Sequence, residues 1–322
     1  MNNTKNNKIF ITRKILPEGI ELLRAHHYEV DINPLERALT YEELSEHAKG
    51  FNALITMLSD RIDEAFIIKN SHLKIVANYA VGFNNIDLAS AKKHGIAIAN
   101  TPDVLTEATA EVALGLMINS ARHFNEASQS ARLGEWKGWN PTAHLGLALK
   151  GKTLGVIGMG RIGHRLAEMA SMAFKMPILY TARSPKENNF NARFTQLDEL
   201  LQQSDFISIH VPLTADTRML IGRKEFLKMK KEAILINTAR GEIIDPEALI
   251  QALREKTIYA AGLDVTYPSP LPPTNPLFSL KNAYILPHIG SATFEARREM
   301  SLLCAKNVIA ALEGRELLSP VY

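Results

Sequence analysis

Three features of this 322-residue chain have the residue types and spacing to do chemistry. GVIGMGRIG places Gly158, Gly160 and Gly163 in the pattern G-x-G-x-x-G, with Arg161 and Ile162 before the third glycine. The first glycine permits a tight turn, the second lets backbone approach a pyrophosphate, and the third allows close helix–strand packing. Arg240, in NTARG, comes just after the apolar run AILIN, three residues past its end, and its planar guanidinium suits a carboxylate. His288, in LPHIG, ends the run AYIL, and an imidazole with an ordinary pKa of about 6.5 passes protons near neutrality. A lone histidine or arginine at a strand end more often serves structure, so the surrounding elements decide.

Those elements read as alternating strands and helices. KIFIT, YEVDIN, ALITML, KIVANYAV and IAIAN are short apolar runs, and PEGIELLRAHH reads as a helix with Pro17 in its first turn. A second series follows Gly151: TLGVIG, PILYTA, FISIHV, AILINTA, AAGLDV and AYILPHI as strands, with RIGHRLAEMASMA and LDELLQQS as helices. This alternation predicts parallel strands with crossover helices. TEATAEVALGLMINSARHFNEASQSARLGEW reads as one long helix, and TFEARREMSLLCAKNVIAALEG as another. The glycine triplet therefore lies on strand–turn–helix, the context that makes a bare G-x-G-x-x-G informative. Arg240 and His288 fall at the carboxyl ends of strands, where open α/β sheets bind ligands.

Composition narrows the function class. Hydrophobic content of 46% with 22% charge is that of a soluble globular chain, of a length suited to two domains. The net charge of +3 carries no nucleic-acid signal, and no run approaches the roughly 18 apolar residues of a membrane span. With Cys304 alone there is no internal disulfide, and no Cys/His cluster has metal spacing. MNNTKNNK lacks the apolar core of a leader, so a reducing cytoplasm is the expected setting. No G-x-S-x-G elbow, Walker A loop or H-E-x-x-H helix supports a hydrolase.

The second strand after the glycine turn bears on the cofactor. An NAD site places Asp or Glu about 20 residues on, at that strand's end, for the ribose 2′-OH. Here the strand ends in Thr181, Ala182, Arg183 and Ser184, with no acid before Glu187. A guanidinium in place of a carboxylate favours the 2′-phosphate of NADPH over NADH.

With INTARGEIID, AAGLDV and ILPHIGSAT added to the glycine turn, the chain resembles the D-2-hydroxyacid dehydrogenase family over nearly its whole length. NYAVGFNNIDL, TPDVLTEATAE, GEWKGWNP and HVPLTADT are most similar to its glyoxylate/hydroxypyruvate reductases and the related 2-ketogluconate reductases. The resemblance implies two doubly wound parallel-sheet domains, Rossmann-like and flavodoxin-like, with a cleft between them. The expected division is 1–100 plus 293–322 for a discontinuous substrate domain and 101–292 for an NADP-binding domain. It also implies a homodimer, with Trp139 reaching into the partner's active site; a core tryptophan in its own subunit is the competing reading. By the same resemblance Arg240 clamps the substrate carboxylate and His288 donates the proton. Val81 and Gly82 match a loop whose N–H groups hold that carboxylate, and Leu58 matches the opposite wall. Pro212 and Thr217 match positions flanking the adenine, Thr238 lies beside the ribose or nicotinamide, and Asp264 and Gly290 lie near the nicotinamide and the histidine.

One position departs from the family. After GLDV it carries D-V-x-x-x-E-P, and the glutamate hydrogen-bonds the catalytic histidine and favours its charged form. Asp264, Val265 and Pro270 place Ser269 at that position. A hydroxyl stabilises imidazolium much less than a carboxylate. The expectation is therefore NADPH-dependent reduction of glyoxylate and hydroxypyruvate, or of 2-ketogluconate. The alternative of another class is an NADP(H)-binding sensor impaired in turnover by Ser269. A formate dehydrogenase-like activity has less support, because relatives with it carry glutamine there and extra N-terminal sequence. Five prolines (Pro268, Pro270, Pro272, Pro273 and Pro276) make this segment a stiff loop and not a linker.

Overall fold

The computed structural model describes residues 7–322. The polar opening MNNTKN, where no leader was read, lies outside them. The chain divides into two compact units, one ending at Leu105 and resuming at Ser291, the other running Thr106–Gly290.

In the first unit β1 (Lys8–Ile11), β2 (Glu29–Ile32), β3 (Ala53–Thr56), β4 (Ile75–Asn78) and β5 (Ala97–Ala99) form one parallel sheet, ordered β2-β1-β3-β4-β5. Every residue of β3 and β4 is buried, as expected where helices cover both faces. The crossovers are α1 (Pro17–Ala25), α2 (Tyr41–His47), α3 (Glu64–Lys69) and α4 (Leu88–Lys93). Pro17 opens α1, where its missing N–H has no helical partner to lose. Thr40, Asp63 and Asp87 cap the other three by accepting from the N–H groups of Glu43, Phe66 and Ser90.

The second unit begins with the Ala-rich α5 (Thr106–Arg122), followed by α6 (Phe124–Arg132). The single long helix expected here is therefore two. His123 adopts a left-handed conformation, φ +54°, and its ring lies 3.0 Å from Tyr284 Oη and 2.8 Å from Tyr259 Oη. Those tertiary bonds offset the local preference to continue the helix. Then come β6 (Leu154–Ile157), α7 (Arg161–Phe174), β7 (Ile178–Thr181), β8 (Arg193–Phe194), α8 (Leu197–Gln203), β9 (Phe206–Ile209) and α9 (Arg223–Phe226). β10 (Ile234–Asn237), α10 (Pro246–Arg254), β11 (Ala260–Leu263) and β12 (Ala283–Ile285) complete the unit. All seven strands are parallel, ordered β12-β11-β10-β9-β6-β7-β8. Neighbouring residues feed opposite layers: Val156 and Ile236 join one apolar core, Ile157 and Leu235 the other. Arg165 ties α7 to α5 through Glu107 at 2.6 Å.

The chain returns to the first unit in α11 (Phe294–Leu312), capped by Thr293. Ser301 Oγ accepts from Gly19 N at 3.0 Å and donates to Leu16 O at 2.8 Å, and Tyr79 Oη donates to Arg297 O at 2.6 Å. These bonds join the two ends of the sequence into one unit.

Candidate active site

Register brings the chemistry of the second unit to one edge. Asn237, Leu263 and Ile285 are paired neighbours across β10, β11 and β12. Arg240, Asp264 and His288 lie three, one and three residues beyond them, so all three leave the carboxyl end of the sheet. Ile157 and Ile209 continue that row, and Thr181 pairs with Ile157. The glycine turn begins at the next residue, Gly158. It sits where strand order reverses between β6 and β9, the position at which doubly wound sheets bind ligands.

The turn has the close approaches its glycines imply. Gly158 has φ +101°, and a Cβ there would fall 2.8 Å from the His210 carbonyl carbon. A Cβ on Gly163 would fall 2.2 Å from Gly158 O, whereas one on Gly160 would meet open space. Gly158 N donates to Thr181 O at 2.9 Å. Gly160 caps α7 without a side chain, so the helix presents the N–H groups of its first turn, including Ile162, to whatever approaches. Thr238 Oγ1, on the same edge, is buried with no hydrogen-bond partner among the described residues. An open glycine face, an uncapped helix start and an orphaned hydroxyl fit a dinucleotide.

At the end of β7, Arg183 and Ser184 are exposed. The buried Tyr180 shapes their turn: its hydroxyl accepts from Lys186 N at 2.8 Å and donates to Lys186 O at 3.1 Å. After β9, Thr217 Oγ1 donates to Pro212 O at 2.6 Å and accepts from Thr214 N at 2.8 Å, closing the VPLTADT turn.

Arg240 is held from two sides. Asn237 Nδ2 donates to Arg240 O at 2.8 Å, and Asn237 Oδ1 accepts from Ala239 N at 3.0 Å. Burial pulls the guanidinium pKa below its ordinary value, with Glu242 opposing, so the site favours an anion beside it. A Cβ on Gly241 would fall 2.1 Å from the Thr266 carbonyl carbon, so the arginine loop packs on the start of the proline-rich segment. Ser269 is exposed in that segment, between the cis bonds Tyr267–Pro268 and Ser269–Pro270.

His288 is exposed at φ +57°, inside a loop fixed by Asp264. That carboxylate is 1% exposed; Oδ1 accepts from Ile289 N at 2.7 Å and Oδ2 from Gly290 N at 2.8 Å. Asp264 thus acts on the histidine's backbone. His210, at the end of β9, is a second histidine on this edge; its Nε2 lies 2.8 Å from Ser208 Oγ. Burial lowers its pKa to about 4, so it is neutral when an acid catalyst must be charged.

Leu58, Val81 and Gly82 belong to the first unit, on loops after β3 and β4. Asn100 Nδ2 donates to Val81 O at 2.7 Å and Asn78 Nδ2 to Gly82 O at 2.9 Å. Among the described residues nothing accepts from the N–H groups of Val81 and Gly82. Two amides with fixed carbonyls and open N–H groups suit an anion. Trp139 is 87% exposed, which removes the reading of a core tryptophan in its own subunit. Reasoning from sequence missed the positioning residues Asn237, Asn78, Asn100 and Tyr180; Asn237, the first residue of NTARG, was the one with a local signal. Among the described residues no cluster of three or more His, Cys, Asp or Glu could hold a metal ion, and no helix is long and apolar enough to cross a membrane.

Residues 114–290 match the family described as D-isomer specific 2-hydroxyacid dehydrogenase, NAD binding domain. The chain is 46% identical over 97% of its length to a glyoxylate reductase of Aeropyrum pernix, covering 94% of that protein. It is 48% identical over 95% of its length to one of Thermococcus gammatolerans, covering 93%. Among solved structures, a Thermus thermophilus protein superposes with TM-score 0.93 at 43% identity, covering 98% of this chain and all of that one. An NADPH-dependent glyoxylate/hydroxypyruvate reductase of Sinorhizobium meliloti, solved with NADP and malonate, gives TM-score 0.87 at 33% identity, covering 98% and 97%. The glycine turn and the row of Arg240, Asp264 and His288 at one carboxyl edge, with this likeness along the chain, lead to one assignment: the chain belongs to the D-isomer specific 2-hydroxyacid dehydrogenase family.

Proposed function

We propose that the protein reduces glyoxylate and hydroxypyruvate to their 2-hydroxy acids with NADPH. The observation that carries this reading is the delivery of Arg240, Asp264 and His288, by three adjacent strands, to the edge that holds the glycine turn. Bound NADPH supplies the hydride. Gly158, Gly160, Gly163, Arg161 and Ile162 hold its pyrophosphate, with Thr181, Pro212, Thr217 and Thr238 around the nucleoside parts. Arg183 and Ser184 take the 2′-phosphate, a preference supported by the absence of an acid at the end of β7.

Arg240, in the second unit, suits a substrate carboxylate and its adjacent carbonyl, and the Val81 and Gly82 N–H groups of the first unit suit a carboxylate as well. Leu58 forms the apolar wall. His288, charged, gives its proton to the carbonyl oxygen as negative charge develops there. Asp264 fixes the histidine loop through two backbone N–H groups. Ser269 stands where the family resemblance implies a glutamate that stabilises the charged histidine.

The first unit is the substrate domain and Thr106–Gly290 the nucleotide domain. Phe124, Leu133, Trp136, Trp139 and Leu145 are all more than half exposed, which supports a homodimer seated on this segment, with Trp139 entering the partner's site. A cytoplasmic setting agrees with the single free thiol of Cys304.

The test is loss of NADPH absorbance on adding glyoxylate, extended to hydroxypyruvate and 2-ketogluconate and repeated with NADH. Turnover of glyoxylate and hydroxypyruvate with NADPH ahead of NADH is the expected result. Binding of NADPH without turnover of any 2-keto acid would establish the sensor reading instead.

A further inference from the structure

Two loops at the carboxyl edge of the five-stranded sheet are tied together by a pair of asparagines. Asn78, fully buried at the end of β4, accepts from Thr56 Oγ1 at 3.1 Å through its own Oδ1. Its Nδ2 donates to Gly82 O at 2.9 Å and to Asn85 Oδ1 at 3.2 Å. Asn85 Nδ2 reaches across to the other loop, donating to Asp60 O at 2.9 Å and Met57 O at 3.2 Å. The carbonyls on either side of Leu58 and Ser59 thus both accept from one carboxamide, which is itself tied to the residue that holds Gly82, while inside the Leu58 turn Met57 O also accepts from Asp60 N at 3.0 Å. Ile62 and Ile86 bridge the same loops further along. An open recess of about 340 Å³ lies against them, lined in part by Leu58, Ser59, Asn84 and Asn85.

We propose that Asn78 and Asn85 are positioning residues that set the separation between Leu58 and the Val81–Gly82 N–H groups, and so the size of 2-keto acid the protein accepts. This rests on the reductase reading above. Without that donor Asp60 O loses its tie to Asn85 and Met57 O keeps its bond to Asp60 N inside the turn, so the Leu58 turn is held less firmly to the Gly82 loop and the wall relaxes outward. A small acid then loses preorganised contacts that it makes equally before and during reaction, which raises KM and leaves kcat in place. A larger acid gains room as it loses those contacts, so selectivity moves toward size.

The experiment is steady-state kinetics of the full-length protein and its Asn85→Ala variant, with NADPH and either glyoxylate or 2-ketogluconate, alongside direct NADPH binding. The variant is expected to raise KM for glyoxylate about tenfold, the effect of removing a hydrogen-bond donor from partly buried acceptors. kcat should stay within about twofold, as for lost uniform binding. The ratio of kcat/KM for 2-ketogluconate to that for glyoxylate should rise about tenfold, with NADPH affinity unchanged. Asn85→Asp keeps the volume and the acceptor for Asn78 but cannot donate, so it carries the same test if the alanine variant fails to fold. Wild-type KM and selectivity in a folded variant overturn the proposal, as does a loss of kcat with KM unmoved. A wild-type protein that turns over no 2-keto acid overturns the reductase reading itself, and is seen before any variant is made.

Discussion

At the edge of the seven-stranded sheet the loops present Arg240, Asp264, His288 and His210, whereas the edge of the five-stranded sheet is held by Asn33, Asn78, Asn85 and Asn100. Both sheets are parallel, and at the carboxyl ends of both, loops are fixed through side chains that reach backbone groups. They differ in charge. Moving a proton requires a group that ionises, so an edge proposed to do so is responsive to pH. Carboxamides donate and accept with no change of state, so the second edge keeps its shape while the first titrates. Asp60 is the ionisable exception among the amides: desolvation raises its pKa, while its Oδ2 accepts from the Met57 N–H and the Thr12 hydroxyl.

The contrast breaks most visibly if the charged edge is made neutral. His288→Asn should lower kcat on the order of 10³-fold, the range expected for a positioned general acid, with NADPH binding intact. A variant that keeps more than about a tenth of wild-type kcat removes His288 from proton transfer. The next effect is on stability. The folded state holds His210 at a pKa of about 4, against 6.5 for an ordinary histidine. Above pH 6.5 both folded and unfolded chains carry it neutral, and its contribution is fully present. As pH falls toward 4 the unfolded chain takes up a proton that the folded chain refuses, so stability drops. The loss approaches roughly 3 kcal/mol at the acid end. Denaturant midpoints between pH 7.5 and 4.5 should fall more steeply for the wild type than for His210→Gln, and parallel slopes would contradict the assignment.

A third prediction concerns the rim of the charged edge. Arg183→Ala should cut the preference for NADPH over NADH about 30-fold, as for the loss of a charge-assisted pair, mostly through KM for NADPH. An unchanged ratio places the 2′-phosphate elsewhere.

How much of this was legible depended on whether a signal was local. Apolar runs such as ALIT and AILIN announced buried parallel strands because helices cover both faces. The glycine triplet was legible because its context is contiguous. β8 escaped notice because Arg193–Phe194 is too short to show a period. The break at His123 carries no Gly or Pro; it exists because Tyr259 and Tyr284, far along the chain, hold the ring. The grip of Asp264 on the loop of His288 needed the pairing of β11 with β12, and Asn78 in KIVANYAV reads only as the end of a strand. The residues proposed to touch ligands lie in motifs, while residues that hold other residues do not.

Ser269 is the place where the charged edge lacks a charge, and supplying it sharpens the comparison by the smallest step. The serine hydroxyl is neutral, so it offers His288 no carboxylate to stabilise the imidazolium. Ser269→Glu adds one, on a segment whose start packs against the loop of Arg240. An opposite charge close to an imidazole favours the protonated form and raises its pKa by about one unit. The protonated histidine is the proton donor, so activity is lost as pH rises through that pKa, and Ser269→Glu should move the alkaline limb of kcat for glyoxylate reduction upward by the same amount. The wild type, with the lower pKa, keeps its optimum further to the acid side. The measurement is kcat against pH from 5 to 9 for both proteins, with Ser269→Gln as a neutral control of similar size. Coincident limbs with undiminished rate in the glutamate variant would mean that this position does not reach the histidine. A limb that moves equally in the glutamine control would assign the shift to volume and not to charge.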